Sequence, residues 1–64
     1  MTLEVGQVWE SRKPWDPASG PSVLYVLEVL HKWPTMTLCL CLSGYGEGRV
    51  AKWTVCDRDY VRLA

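Results

Sequence analysis

TMTLCLCLSGYGEGRVAKWTV, residues 35–55, is the stretch on which the fold turns. Its first part alternates with a period of two: Met36, Leu38, Leu40 and Leu42 fall on one side, Thr35, Thr37, Cys39 and Cys41 on the other. That is the pattern of a strand with one face in a core. The leucine side is the expected inner face. SGYGEG then supplies three glycines able to take positive φ, enough for a turn. RVAKWTV, residues 49–55, returns as the second arm of a hairpin.

The same period extends to either side. VGQVWESR, residues 5–12, reads as an opening strand. It is closed by a loop holding Pro14, Pro17, Gly20 and Pro21, residues that neither a helix interior nor a central strand accommodates. SVLYVLEVLH, residues 22–31, is rich in β-branched and aromatic side chains. Val23, Tyr25, Leu27 and Val29 alternate with Leu24, Val26, Glu28 and Leu30, so both of its faces are expected to be covered. A helix is the competing assignment, but three valines between a proline-rich loop and KWP favour a strand. CDRD, residues 56–59, reads as one tight turn of 3₁₀ type before a final short strand, YVRLA.

A chain of 64 residues has room for one domain, residues 1–64, and buries only ~60% of the surface its unfolded form exposes. With no phenylalanine, the four tryptophans Trp9, Trp15, Trp33 and Trp53 must supply much of the core volume. Seven basic and seven acidic residues cancel, so the long-range positive field of a generic nucleic-acid or membrane binder is missing. No apolar run approaches the ~18 residues of a membrane helix. Three cysteines are an odd number, which argues for a reducing, cytoplasmic setting and against a disulfide-stapled secreted domain.

Five strands, a long first loop, a central hairpin and one helical turn before the last strand make an all-β chain, and specifically a small five-stranded SH3-like barrel. VGQVWESRKP, YVLEVL, GRVAKW and the terminal DRDYVRLA together resemble small uncharacterised SH3-like β-barrel proteins of actinobacteria and their phages. The resemblance spans most of the chain through loose motifs, and KWPTMTLCLCL is more apolar than it leads one to expect. It implies a fold and a phage-linked origin. It implies no particular activity.

Chemistry finds little purchase. Residues i and i+2 of a strand stand roughly 6.5–7 Å apart, whereas two sulfurs on one zinc ion lie within about 4 Å of each other. Cys39 and Cys41 therefore do not read as a metal pair, and His31 and Cys56 come from opposite ends of the hairpin. The expectation is no metal and no cofactor, with all three cysteines as small apolar fillers. His31 with Ser43 or Cys41 lacks a third group to orient a base. Asp57 and Asp59 read as turn-bonding residues. GYGEGR opens no helix, so it is no phosphate loop. A non-enzyme is expected.

Binding remains. Trp9 and Tyr60, on the opening and closing strands, are assigned to the core. Trp15, Trp33 and Tyr45 in loops, with Trp53, Arg49 and Lys52, are the expected partner-binding residues of a protein-binding module. The partner is a host protein or a second copy, because the apolar strand 22–30 and the Thr/Cys side of 35–41 offer more apolar surface than one small barrel encloses. The alternative is a small barrel that binds single-stranded nucleic acid through Arg49, Lys52, Trp53 and Arg62.

Overall fold

The computed structural model describes residues 3–13, 18–32 and 35–64. Five strands form one antiparallel sheet: β1 (Val8–Ser11), β2 (Val23–Lys32), β3 (Thr35–Ser43), β4 (Val50–Trp53) and β5 (Tyr60–Arg62). Their order across the sheet is β4-β3-β2-β1-β5, so β4 and β5 are its edges. Among the described residues there is no helix, and hence none long and apolar enough to cross a membrane. The segment expected as a tight 3₁₀ turn is a hydrogen-bonded turn at residues 57–59. In it the Asp59 and Tyr60 amides both donate to the Cys56 carbonyl, at 3.2 and 2.9 Å.

The faces of β3 are the reverse of the expected ones. Thr37, Cys39 and Cys41 are buried, the two cysteines at 0% and 1% exposure. Leu38 and Leu40 are only half-buried, and Leu42 is 44% exposed. The physical reason lies in what β3 faces. The core is built from Trp9, Leu24, Val26, Val55 and Tyr60 around the two cysteines, with Leu3, Val29 and Trp53 packed against it. Two large aromatic side chains already fill the inner side of a very small sheet, and only small side chains fit opposite them at the close packing of a protein interior. Leucine at positions 37, 39 and 41 would overfill the space.

The polar atoms that accompany this choice are bonded. The Thr37 hydroxyl donates to the Trp53 carbonyl at 2.8 Å and lies 3.2 Å from the Cys39 sulfur. The Cys41 thiol donates to the Ser43 carbonyl at 3.2 Å. Threonine and cysteine are thus tolerated inside because the backbone accepts from Thr37 and Cys41 and the Thr37 hydroxyl partners the Cys39 thiol.

β2 reconciles its two apolar sides through bulges. The β2–β3 register shifts between Val23 and Leu24, between Val26 and Glu28, and between Val29 and His31. Under strict alternation Glu28 would share the inner face with Leu24 and Val26. The irregularity at Leu27 turns Glu28 outward, where it is exposed, and brings Val29 against the core. Bulges also bend and twist a strand, which lets a single sheet of this size curl over its own core.

Two local devices fix the ends. Gln7 is buried, and its side-chain oxygen accepts from the Trp9 indole N–H and the Glu4 amide, both at 3.1 Å. This is why glutamine precedes the core tryptophan in VGQVW. At the β3–β4 turn, Gly44 takes φ +93°, and a Cβ there would stand 2.6 Å from the Pro21 carbonyl oxygen and 2.8 Å from Ser22 Cα. The turn lies flat on the start of β2, and only glycine permits it.

Candidate functional site

The sheet's edges converge on one groove. A cavity of about 800 Å³ is lined by Ser11, Arg12 and Lys13 at the end of β1, by Lys52, Trp53 and Thr54 at the end of β4, and by Cys56, Arg58, Asp59 and Tyr60 before and at the start of β5. Four of these side chains are cationic and one is a carboxylate. A chain that is neutral overall concentrates positive charge here.

Each wall is held by its own bonds. Arg12 donates from Nε to the Asp57 carbonyl at 3.1 Å, and its amide donates to the Asp59 carbonyl at 2.8 Å, tying β1 to the turn. Arg58 bonds Asp59 at 3.3 and 3.4 Å, and the Cys56 thiol donates to the same carboxylate at 3.3 Å. Hydrogen bonds from Arg58 and Cys56 hold the Asp59 carboxyl below its ordinary value. Trp53 is half-buried, packed on the core from one side and bordering the groove on the other. Tyr60 is buried at the base.

The expected binding residues are only partly gathered. Lys52 and Trp53 meet at the groove. Tyr45 is 65% exposed in the β3–β4 turn, and Arg49 is exposed where that turn enters β4. Neither Tyr45 nor Arg49 lines the groove. Arg62, on β5, donates to the Ala64 carbonyl at 3.1 Å and lies apart from it as well. Trp15 and Trp33 lie outside the described residues. Arg12 and Lys13, on the rim, were not singled out in the sequence. Their link to Lys52 exists only once the end of the β4 edge strand approaches the end of β1, and no spacing in the chain announces it.

The sulfur atoms of Cys39 and Cys41 are core atoms, whereas Cys56, also expected as an apolar filler, lines the groove and donates to Asp59. Burial pushes the thiols of Cys39 and Cys41 up from their ordinary value of 9.0, against smaller opposing effects of the Thr37 and Ser43 hydrogen bonds respectively. Such thiols are poor nucleophiles at neutral pH. His31 is exposed at the far end of β2, opposite Met36, whereas Cys41 stands opposite Leu24. That is roughly 23 Å of strand at ~3.3 Å per residue. Ser43, opposite Val23, is no nearer. Among the described residues no three His, Cys, Asp or Glu side chains converge in a way that could hold a metal ion.

A second surface lies on the outside of the sheet. Val8 pairs with Tyr25, Tyr25 with Leu40, and Leu40 with Val50, an apolar row across four strands. The adjacent row, Glu28–Leu38–Lys52, is charged at both ends, and on the other side Glu10 stands between Val23 and Val61. Val50 is 55% exposed. The result is an apolar strip with a polar border. It is the surface created by turning the leucines of β3 outward.

Comparison with protein-family models, curated proteins and solved structures finds no match to this chain.

Proposed function

We propose that the chain is a non-catalytic protein-binding module, a small SH3-like barrel whose outer sheet face is its contact surface and whose first partner is a second copy of itself. The barrel reading rests on the strand order β4-β3-β2-β1-β5 and on a groove bordered by both edge strands. The non-catalytic reading is supported by two thiols made inert by burial and a histidine far from both.

The observation that carries the proposal is the Val8–Tyr25–Leu40–Val50 row with its charged border. An apolar core with a polar rim is the usual anatomy of a specific protein contact. The molecule measures 32 × 22 × 20 Å, so any one face has an outline of at most about 700 Å² (32 × 22). That approaches the ~800 Å² each partner contributes to a stable interface. A net charge of zero removes the repulsion that would oppose pairing of identical copies. Two such faces would pack as stacked sheets ~10 Å apart.

In this reading Tyr45, Trp15 and Trp33 serve a further protein partner, and the resemblance to phage-linked barrels suggests a host protein. Three free cysteines suit a reducing cytoplasm. Sedimentation velocity over micromolar concentrations tests the proposal. The wild type is expected to run as a dimer and Leu40→Lys as a folded monomer. A wild type that stays monomeric throughout, or a Leu40→Lys protein that still pairs, would overturn it.

A further inference from the structure

We propose that the groove between the end of β1, the end of β4 and the 56–60 turn binds a short single-stranded nucleic-acid segment, with cations at its rim for phosphates and Trp53 as the wall for a base. This does not rest on self-association, since none of Val8, Tyr25, Leu40 and Val50 lines the groove and the two surfaces share only Lys52, at the border of the outer face.

Arg12, Lys13, Lys52 and Arg58 border one cavity, and among the described residues the only ion pair involving any of them is Arg58 with Asp59. A cluster of that sign on a neutral chain suits an anionic ligand, and the cavity is too large for a single inorganic anion. About 800 Å³ falls within the ~300–1,000 Å³ typical of sites for organic ligands.

The wall chemistry chooses among anions. Trp53 and Tyr60 give the groove an aromatic side and base, which suits a flat ring and offers nothing specific to a carboxylate. Asp59 lies in the same wall, kept ionised by Arg58 and the Cys56 thiol. It repels the carboxylates of an acidic peptide, whose donors are confined to its backbone amides. A nucleotide differs because it is negative at its phosphate and carries N–H donors on its base edge, which a fixed carboxylate can accept. Stacking aromatics beside backbone-tracking cations are the two parts that sequence-tolerant single-strand binding requires. The groove has both, together with an acceptor for the base.

The position of the cations also explains why the neutral total is no obstacle. Salt-dependent affinity depends on the charges that reach phosphates, not on the sum over the chain. Glu10 and Glu28 point from the outer face of the sheet and do not line the cavity. The field at the groove is therefore set locally, by the four cations less the offset from Asp59 and from Asp57 in the same turn.

The test uses the full chain and a fluorescein-labelled oligothymidine of about ten nucleotides, within the ~4–16 nucleotides that a small barrel covers. Anisotropy is followed at several salt concentrations. Three engaged phosphates predict a slope of log affinity against log salt near about −2, from ~0.7 per phosphate. Lys13→Ala and Lys52→Ala should each flatten that slope by about 0.7, and Lys13→Glu with Lys52→Glu should abolish binding. Both lysines are exposed, and a far-ultraviolet circular dichroism spectrum confirms that the variants fold. Leu40→Gln, on the outer face, should bind as the wild type does. The indole N–H resonance of Trp53 should move on titration. Absence of binding at low salt, indifference to the two lysines, or equal competition by an oligoglutamate peptide would each overturn the proposal, the last in favour of an acidic peptide.

Discussion

Gly44 shows how much one residue can settle. Its φ of +93° is costly for any side chain, and a Cβ would stand 2.6 Å from the Pro21 carbonyl oxygen. Backbone strain of this kind costs ~1–3 kcal/mol before the clash is added. Gly44→Ala is therefore expected to lower stability by more than about 2 kcal/mol in urea unfolding. Gly46→Ala has the same sign of φ but open space around it, so it should cost only ~1 kcal/mol. Equal effects would deny that the turn lies on β2. Gln7→Ala leaves the Trp9 indole N–H without its partner, and a loss of ~1–3 kcal/mol is expected. Of these two devices, the glycine turn was legible in SGYGEG. The Gln7 bond was not, because nothing in VGQVW says which way an amide side chain folds.

The cysteines act at the same scale through pH. Burial raises both core thiols above 9.0. In the unfolded chain they ionise near the ordinary value, and in the folded chain they stay neutral to higher pH. Their stabilising contribution is thus complete below about pH 9 and is lost as pH rises through the folded values. The urea midpoint should fall between pH 8 and 10 and fall less in Cys39→Ala, about the range where ordinary thiols titrate. An identical decline in both proteins would contradict the placement of Cys39.

At the scale of elements, strand positions were readable and strand faces were not. Alternation located β2 and β3 to within a residue or so, because period two survives whichever side is buried. Leucine was assigned to the core on hydrophobicity alone. That logic fails where Trp9 and Tyr60 leave room only for Thr37, Cys39 and Cys41, since volume then outranks hydrophobicity. The bulge at Leu27 was equally hidden, although Glu28 amid apolar neighbours was its trace. With Glu28 outside, Glu28→Ala should shift stability by less than about 0.5 kcal/mol. A gain well beyond that would put the carboxylate back inside.

At the scale of the molecule, both proposals follow from the curl of the sheet. Small residues inside allow tight curvature, tight curvature brings Lys52 and Trp53 toward Arg12 and Lys13, and the displaced leucines coat the outside. The groove and the apolar face are thus two consequences of one packing choice. Sequence could list the cations and the leucines, but the neighbourhoods depend on which face of β3 is concave.

Native-state thiol labelling tests that choice most directly, performed on the Leu40→Lys variant so that pairing of copies cannot shield anything. With an aromatic disulfide reagent at neutral pH, Cys56, which is half-buried beside the groove, should react promptly. Cys39 and Cys41 should react only as fast as the chain unfolds. Prompt reaction of all three thiols would place the Thr/Cys side of β3 outside and contradict the account.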